Sequence, residues 1–401
     1  MANNNKHTGP NVPALRFPEF SGEWESQRLG DSCTFFSGGT PASSKKEYYD
    51  GNIPFIRSGE IHLDSTELCI TEEAYKSCSA KMVNQGDLLL ALYGATSGDI
   101  SISKINGAIN QAILCIRPNS YDSYFIKSLW EKHKEHILAI YLQGGQGNLS
   151  LEIVKSICFG FPIAQEQLKI SNLFQSIDER IEVQSKIIEE LKILRSALSE
   201  SLYCECDSFQ ELSFNDVGEC YSGLSGKSGE DFGSGYPYIP YTNIFANDVI
   251  DENQFEYVQV REDESQNTVH YGDLLMTLSS ETPEEVGIGS VYLGDKSHLY
   301  LNSFAFGIHI TRTDLVYPPY LSWLVSTKSF RKFILPFAQG STRYNLQKTD
   351  FMKAKYRFPT LERQKIISKI LSSYSLKIAN EEKNLDQYQI QKQGLLEQMF
   401  I

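Results

Sequence analysis

Gly226-Lys227-Ser228 is the most tempting stretch for chemistry, because a Lys-Ser pair after a glycine turn can hold a phosphate and its magnesium. That loop also needs a glycine five residues before Gly226, and Tyr221 stands there. Gly144-Gly145-Gln146-Gly147 does not complete a Gly-x-Gly-x-x-Gly after a strand and reads as a loop turning close to backbone. Neither Asn-Pro-Pro-Tyr nor Asp-Pro-Pro-Tyr, the adenine-methyltransferase signature, is present. The seven histidines form no His-Glu-x-x-His pair, and His133 and His136 read as surface residues of a helix. Eight cysteines form no Cys-x-x-Cys; Cys204 and Cys206 are a lone Cys-x-Cys, and no Cys–His spacing suits zinc. A methyltransferase and a nuclease therefore lack their parts, and neither a catalytic residue nor a metal site is expected.

The remaining chemistry is that of charge and surface. The net charge of −13 argues by itself against a nucleic-acid ligand. Charge is uneven, however. Lys328, Arg331, Lys332, Arg343, Lys348, Lys353, Lys355 and Arg357 face a single acid, Asp350. Acids gather instead at Asp248, Asp251, Glu252, Glu256, Glu262, Asp263 and Glu264. A local basic surface can bind phosphate despite an acidic total, and a solvated helix face is the other reading. No apolar run approaches the roughly 20 residues that cross a bilayer, and the polar Met1–His7 segment is unlike a signal peptide, so a cytoplasmic protein with no membrane partner is expected.

An internal repeat organises the elements that must carry any site. Trp24–Gly38 answers to Phe209–Gly223, and Ile53-Pro54-Phe55-Ile56 to Tyr236-Pro237-Tyr238-Ile239. Gly86-Asp87-Leu88-Leu89 answers to Gly272-Asp273-Leu274-Leu275, and Asn148-Leu149 to Asn345-Leu346. Phe161-Pro162 and Gln167 answer to Phe358-Pro359 and Gln364. Collinear landmarks at drifting offsets mean two homologous halves with loop insertions. In each half, short strands come first: Ile53–Ile56, Leu88–Tyr93 and Ile113–Ile116, then Tyr238–Tyr241, Leu274–Leu278 and Phe304–Ile310. A helical patch follows, Tyr124–Leu142 or Pro319–Phe337, then a glycine-containing loop, and after Pro162 and Pro359 a long helix.

The first long helix carries a heptad pattern. Position a holds Ile170, Ile177, Gln184, Leu191 and Leu198. Position d holds Leu173, Arg180, Ile187, Leu194 and Ser201, and position e adds Phe174, Ile181, Ile188 and Leu202. The C-terminal helix repeats Ile367, Ile370, Tyr374, Ile378, Leu385, Tyr388, Leu395 and Met399. Neither stripe is satisfied alone, so the two helices are expected to pair antiparallel. A continuous helix over Gln165–Leu202 is roughly 57 Å long.

The order of these elements resembles the specificity subunits of type I restriction-modification systems. The resemblance is carried by Pro13-Ala14-Leu15-Arg16-Phe17-Pro18-Glu19-Phe20 leading to Gly22-Glu23-Trp24-Glu25, and by Gly86-Asp87-Leu88-Leu89 followed by Gly94-Ala95-Thr96. Pro162-x-x-x-Glu166-Gln167 and the ending Gly394-Leu395-Leu396-Glu397-Gln398-Met399-Phe400 complete it. Two departures stand in the second half: Arg363 replaces Glu166, and Thr277-Leu278-Ser279-Ser280-Glu281-Thr282 follows the Gly-Asp-Leu-Leu strand, which suggests that the two domains read different sequences.

The resemblance implies an α+β fold with two mixed α/β target recognition domains in a pseudo-twofold arrangement, separated by two long helices packed as an antiparallel coiled coil. The expected divisions are a first recognition domain at 13–162, a helical spacer at 163–206, a second domain at 207–359 and a C-terminal helix at 360–401. It implies a non-catalytic subunit that binds a bipartite double-stranded DNA target. Its partners are two modification (methyltransferase) subunits, which use S-adenosylmethionine to methylate adenine, and restriction subunits, which use ATP and magnesium to translocate and cut. No cofactor is expected on this chain. A protein-binding scaffold or carbohydrate-binding β protein is the competing class; it explains the 12% aromatic residues but not the matched long helices or the basic stretch.

Base reading requires side chains at base edges, whereas phosphate contacts only position a domain. The candidates are polar residues on loops that the repeat places equivalently. In the first half they are Tyr93, Thr96, Ser97, Gln143, Gln146 and Asn148. In the second they are Thr277, Ser279, Ser280, Glu281, Gln339, Thr342, Arg343, Tyr344, Asn345 and Lys348, with Arg343 foremost because arginine reads guanine bidentately or clamps phosphate. Ordinary turn chemistry accounts for about half of such residues.

Overall fold

The computed structural model describes residues 11–142 and 148–401. The chain divides into two compact units, Met1–Ser185 with Lys383–Ile401 and Lys186–Glu382. Each unit therefore contains one strand-rich domain, the beginning of the long helix that follows it, and the end of the other long helix.

Both domains follow one plan. In unit 1, Glu25–Arg28 pairs antiparallel with Cys158–Phe161, bringing together the two ends of the domain. A four-stranded antiparallel sheet runs in the order Cys33–Ser37, Ile113–Pro118, Leu88–Ala91, Ile100–Ile102. A second sheet sets Ile53–Ile56 parallel to Gly107–Ile109. Unit 2 repeats this: Phe209–Ser213 pairs with Lys355–Pro359, and the main sheet runs Gly218–Ser222, Ala305–Ile310, Leu274–Thr277, Gly289–Val291. Its second sheet sets Phe232–Ile239 parallel to Tyr300–Leu301.

The central strand of each main sheet is apolar on both faces because each face meets a different core. Leu88 and Leu90 enter the cluster of Trp24, Phe125 and Trp130, while Leu89 and Ala91 enter that of Ile56, Val83 and Ile109. Leu274 and Met276 likewise separate from Leu275. Side chains that alternate across a strand make such a run read as continuous rather than alternating.

The turn before this strand explains its Gly-Asp. Gly86 and Gly272 adopt φ of +93° and +89°, a region that penalises a Cβ. The aspartate carboxylate then accepts the N–H three residues earlier, Asn84 N to Asp87 Oδ2 at 2.8 Å and His270 N to Asp273 Oδ2 at 2.9 Å. Beyond that turn the halves differ. Arg117 clamps Asp87 through Nε at 2.9 Å and Nη2 at 2.6 Å, whereas the matching strand position in unit 2 holds His309. Burial opposes the Asp87 charge, but the bonds from Arg117 and Asn84 outweigh it and hold the carboxyl below its usual range.

Two expectations of secondary structure are corrected. Tyr241 does not end a strand but opens the helix Tyr241–Ala246, since Pro240 cannot donate to a ladder. The Pro319–Phe337 patch is not one helix; it breaks into Pro318–Leu324, Lys328–Ile334 and a final 3-10 turn, Leu335–Phe337. Thr327 causes the first break by capping Phe330 N at 3.1 Å.

The long helices span Ala164–Cys204 and Leu361–Met399. They pack antiparallel within each unit. In unit 1, Phe174 meets Phe400 at 5.6 Å between ring centroids, Asp178 meets Lys392 at 2.8 Å, and Arg180 lies over Tyr388 at 4.5 Å. In unit 2, Lys192 pairs with Glu382 at 2.6 Å and Arg195 Nη1 with Ser375 Oγ at 2.7 Å. Of the a, d and e positions that make up the stripe of the first helix, a and e are the ones that face inward. Ile170, Phe174, Gln184 and Ile188 are buried, while Ile187 and Leu194 of position d are exposed.

The glutamine after each proline is a buried clamp at the strand-to-helix corner. Gln167 Nε2 donates to Pro162 O at 2.8 Å, and Gln364 Nε2 donates to Pro359 O at 2.8 Å and to Leu315 O at 3.0 Å. Glu166 is buried too, and Arg16 meets it with Nε and Nη2 at 2.7 Å each. Removing one member of a buried ion pair strands the other. Glu166→Ala is therefore expected to cost about 3–5 kcal/mol in denaturant unfolding.

A second charged cluster joins three helices of unit 1. Lys127 and Lys392 each bridge Glu131 and Asp178, at 2.7–2.8 Å. Burial opposes the Asp178 charge, but the two lysines outweigh it and lower its pKa. Stability from a lowered folded pKa is complete above the unfolded carboxylate value of about 3.9 and is lost as pH falls through the folded value. Denaturant midpoints should thus fall below about pH 4, and Asp178→Asn should make that decline shallower while lowering the neutral-pH midpoint.

Candidate nucleic-acid interface

In unit 2 the candidate residues converge on a three-stranded sheet. Ser279–Ser280 pairs with Tyr344–Leu346, which pairs in turn with Ala338–Gln339. Gln339, Asn345 and Ser279 form one row across it, and Ser280 stands opposite Tyr344. Thr342 and Arg343 are exposed in the connecting turn. Gly340 permits that turn: at φ +154°, its Cβ would lie 2.1 Å from Arg343 O.

Beside this sheet lies an open cavity of about 520 Å³, walled by Tyr241, Phe245, Phe304 and Arg343, with Ser279 and Glu281 on its lining. The Arg343 guanidinium sits 5.9 Å from the Phe304 ring centroid, and Tyr241 OH donates to Ser279 O at 3.0 Å. Burial raises the Tyr241 pKa, which keeps that hydroxyl a donor. Flat aromatic faces, a guanidinium and a carboxylate together suit a planar, hydrogen-bonding ligand such as a base edge.

Three proposed readers have hydroxyls committed inside the protein. Thr277 is fully buried, and its Oγ1 accepts Ile288 N at 3.0 Å. Ser280 Oγ donates to Glu285 Oε2 at 2.7 Å, and Ser97 Oγ donates to Leu92 O at 3.0 Å. These side chains hold the loops, so turn chemistry accounts for them. Lys348 opens the helix Lys348–Lys353, 5.8 Å from the Phe306 ring and outside the cavity lining.

Unit 1 builds its counterpart with the same backbone bonds. Leu149 N donates to Leu92 O at 3.0 Å, as Leu346 N donates to Leu278 O at 2.8 Å. Leu92 N donates to Ala112 O at 2.8 Å, as Leu278 N donates to Phe304 O at 2.9 Å. Asn148 is thereby set beside Tyr93; both are exposed, and Thr96 is partly so. Gln143 and Gln146 lie outside the described residues.

The matching bonds show why the aromatic wall escapes a reading by repeats. Phe304 stands where unit 1 has Ala112, and from the paired parallel strands Tyr241 and Phe245 correspond to Ser58 and His62. A search for likeness between halves discards positions where they differ. The basic stretch is also reapportioned. Arg331 donates inward to the carbonyls of Glu284, Val286 and Gly287 at 2.6–2.7 Å, and Arg357 stacks 4.2 Å from the Phe209 ring. Arg343, Lys332, Lys353 and Lys355 are exposed.

The family model described as "Type I restriction modification DNA specificity domain" matches twice, at residues 21–193 and 207–388. The chain belongs to this family. It is similar over 407 residues, at 23% identity, to the type I restriction enzyme MjaVIII specificity subunit of Methanocaldococcus jannaschii, covering 95% of this chain and 92% of that protein. It is 27% identical over 207 residues to the MjaIX specificity subunit of the same organism, a match spanning about half of each chain (48% and 47%). Among solved structures, the type I S subunit from M. genitalium matches with TM-score 0.56 at 14% identity, covering 97% of this chain and 99% of that one. A structure from work on assembly and conformational transition of the type I system matches with TM-score 0.55, covering 93% and 96%. These likenesses show the fold. As a specificity subunit the chain is a recognition component rather than a catalytic one. No described helix is long and apolar enough to cross a membrane.

Arg331 supports the loop behind the unit 2 cavity, and three carbonyls lose a charged donor without it. Arg331→Met should lower unfolding free energy by about 1.5–3 kcal/mol, read by urea denaturation.

Proposed function

We propose that this chain reads a bipartite double-stranded DNA target for a type I restriction-modification complex, one half-target per domain. The observation that carries the reading is a common scaffold with unlike contents. Identical backbone bonds from Leu92 and Leu278 fix the reading segments, while Tyr93, Thr96 and Asn148 on one scaffold become Ser279, Glu281, Arg343 and Asn345 on the other. On this reading two modification subunits dock on the chain and methylate adenine with S-adenosylmethionine. Restriction subunits bring ATP and magnesium chemistry, and the chain itself holds none of these cofactors. Exposed apolar residues on the long helices, Ile193 and Leu376 in unit 2 and Val183 and Ile390 in unit 1, support a role for the helices in holding partner subunits. Such a complex works in the cytoplasm, where its DNA is.

The test is co-expression with the modification subunit, followed by mapping methylated adenines on host DNA. Exchanging residues 207–357 for those of a relative should change one half of the target and spare the other. A change in both halves overturns the modular reading, and methyl transfer by the purified chain with S-adenosylmethionine overturns the non-catalytic one. Arg343→Ala should weaken DNA binding; a base contact lowers discrimination by about 1–3 kcal/mol at one position, whereas a phosphate contact weakens all sequences alike and flattens the salt dependence.

A further inference from the structure

The Gly-Asp turn of unit 2 carries a cluster that its counterpart in unit 1 lacks. Asp87 is neutralised by Arg117, a permanent cation. The Asp273 side chain is fully buried, yet its strand neighbour is His309, whose Nδ1 lies 2.7 Å from Asp273 Oδ1. Asp273 Oδ2 is already satisfied by Tyr221 OH at 2.6 Å and His270 N at 2.9 Å. The tyrosine reaches it by crossing Gly307, where a Cβ would lie 2.1 Å from the Tyr221 ring. Asp273 Oδ1 is thus left to the imidazoles. The His270 ring stands 5.3 Å from that of His309, and one ligand atom from each of His270, Asp273 and His309 falls within 4.8 Å of the others.

We propose that His270, Asp273 and His309 form a binding site for one divalent transition-metal ion of the zinc type. Ligands at roughly 2.0–2.2 Å from a tetrahedral ion stand about 3.4 Å apart, so His309 Nδ1 and Asp273 Oδ1, now at hydrogen-bond distance, part slightly to admit the ion while the other imidazole closes on it. The exposed His270 is the side chain that can make that closing movement. Two imidazoles and a carboxylate match the preferences of zinc, cobalt and nickel, with remaining positions left to water. The two donors to Oδ2 orient the carboxylate so that Oδ1 faces the ion, as outer hydrogen bonds do in other metal sites. The cation does for Asp273 what Arg117 does for Asp87. It ties the turn to the strand Ala305–Ile310 at the end of Leu274–Thr277 remote from Ser279, so its role is structural rather than one of base reading. Spacing along the chain conceals the set, because His309 lies far in sequence from His270 and Asp273.

The test is zinc titration of the untagged, chelator-treated full chain by calorimetry. It is run in a Cys204→Ser/Cys206→Ser background, so that this thiol pair, one exposed and one half-buried, does not contribute. One zinc per chain is expected, with affinity weakened at least tenfold by His270→Ala, which removes only an exposed ligand. His309→Arg recreates the Asp–Arg clamp of unit 1. It should abolish zinc binding while keeping the zinc-free melting temperature at or above that of the parent, which separates loss of a ligand from loss of the fold. Absence of binding to the parent at tens of micromolar zinc, or equal binding by parent, His270→Ala and His309→Arg, overturns the proposal and leaves a plain His–Asp contact.

Discussion

An apolar stripe along a helix of about forty residues cannot be left in water, and in each unit the other long helix, running the opposite way, covers it. Helical propensity alone does not fix such a length in place; packing does. The seam runs through Ile170, Phe174, Gln184 and Ile188, all buried. Its ends are covered by the domain in each unit. Phe174 joins Trp24, Phe125 and Phe400 in one core, and Leu198 and Leu202 join Phe358, Ile367 and Leu371 in the other. Neither domain core is complete without the end of the helix that belongs to the other half of the sequence. Glu166 with Arg16, and the buried Gln167 and Gln364, then lock the corner at which strand gives way to helix.

The main sheets place variation where it does least harm. Leu88–Ala91 and Leu274–Thr277 are buried on both faces, so substitutions there meet close packing. One residue beyond them, Leu92 and Leu278 each fix a reading segment through backbone bonds that do not depend on side-chain type. The segments can therefore exchange Tyr93 for Ser279, or Ala112 for Phe304, without moving the scaffold. Recognition loops carried by a rigid sheet are a general solution for binding proteins.

Much of this architecture was legible in the residues. The repeat located both sheets, and the prolines before the long helices fell at their starts, because landmarks such as Gly86-Asp87 and Gly272-Asp273 answer to backbone geometry that both halves need. The stripe of a, d and e positions is broader than the seam: Ile187 and Leu194 at d stay exposed, since hydrophobicity marks which residues want burial and not which of two adjacent rows receives it. Pro319–Phe337 looks unbroken in sequence because Thr327 is unremarkable until its hydroxyl caps Phe330. Arg331 has the sequence setting of a surface charge, yet loop carbonyls claim it, and sequence does not record which cations are turned inward. The aromatic wall of Tyr241, Phe245 and Phe304 leaves no trace in the repeat, because Ser58, His62 and Ala112 stand at the corresponding positions.

The N–H of Leu15 donates to the carbonyl of Gln398 at 2.8 Å, and Trp24 packs edge-on against Phe400, so the two terminal segments are neighbours in the same unit. Within unit 1 the segment that opens the first domain and the end of the second long helix thus share one surface. A linker joining them, with an opening placed instead at residues 205–208, between the first long helix and the Phe209–Ser213 strand, would leave the pairings described above inside their own units. The two halves would then appear in reversed order along the polypeptide with the same cores, which makes circular permutation a change of numbering rather than of structure.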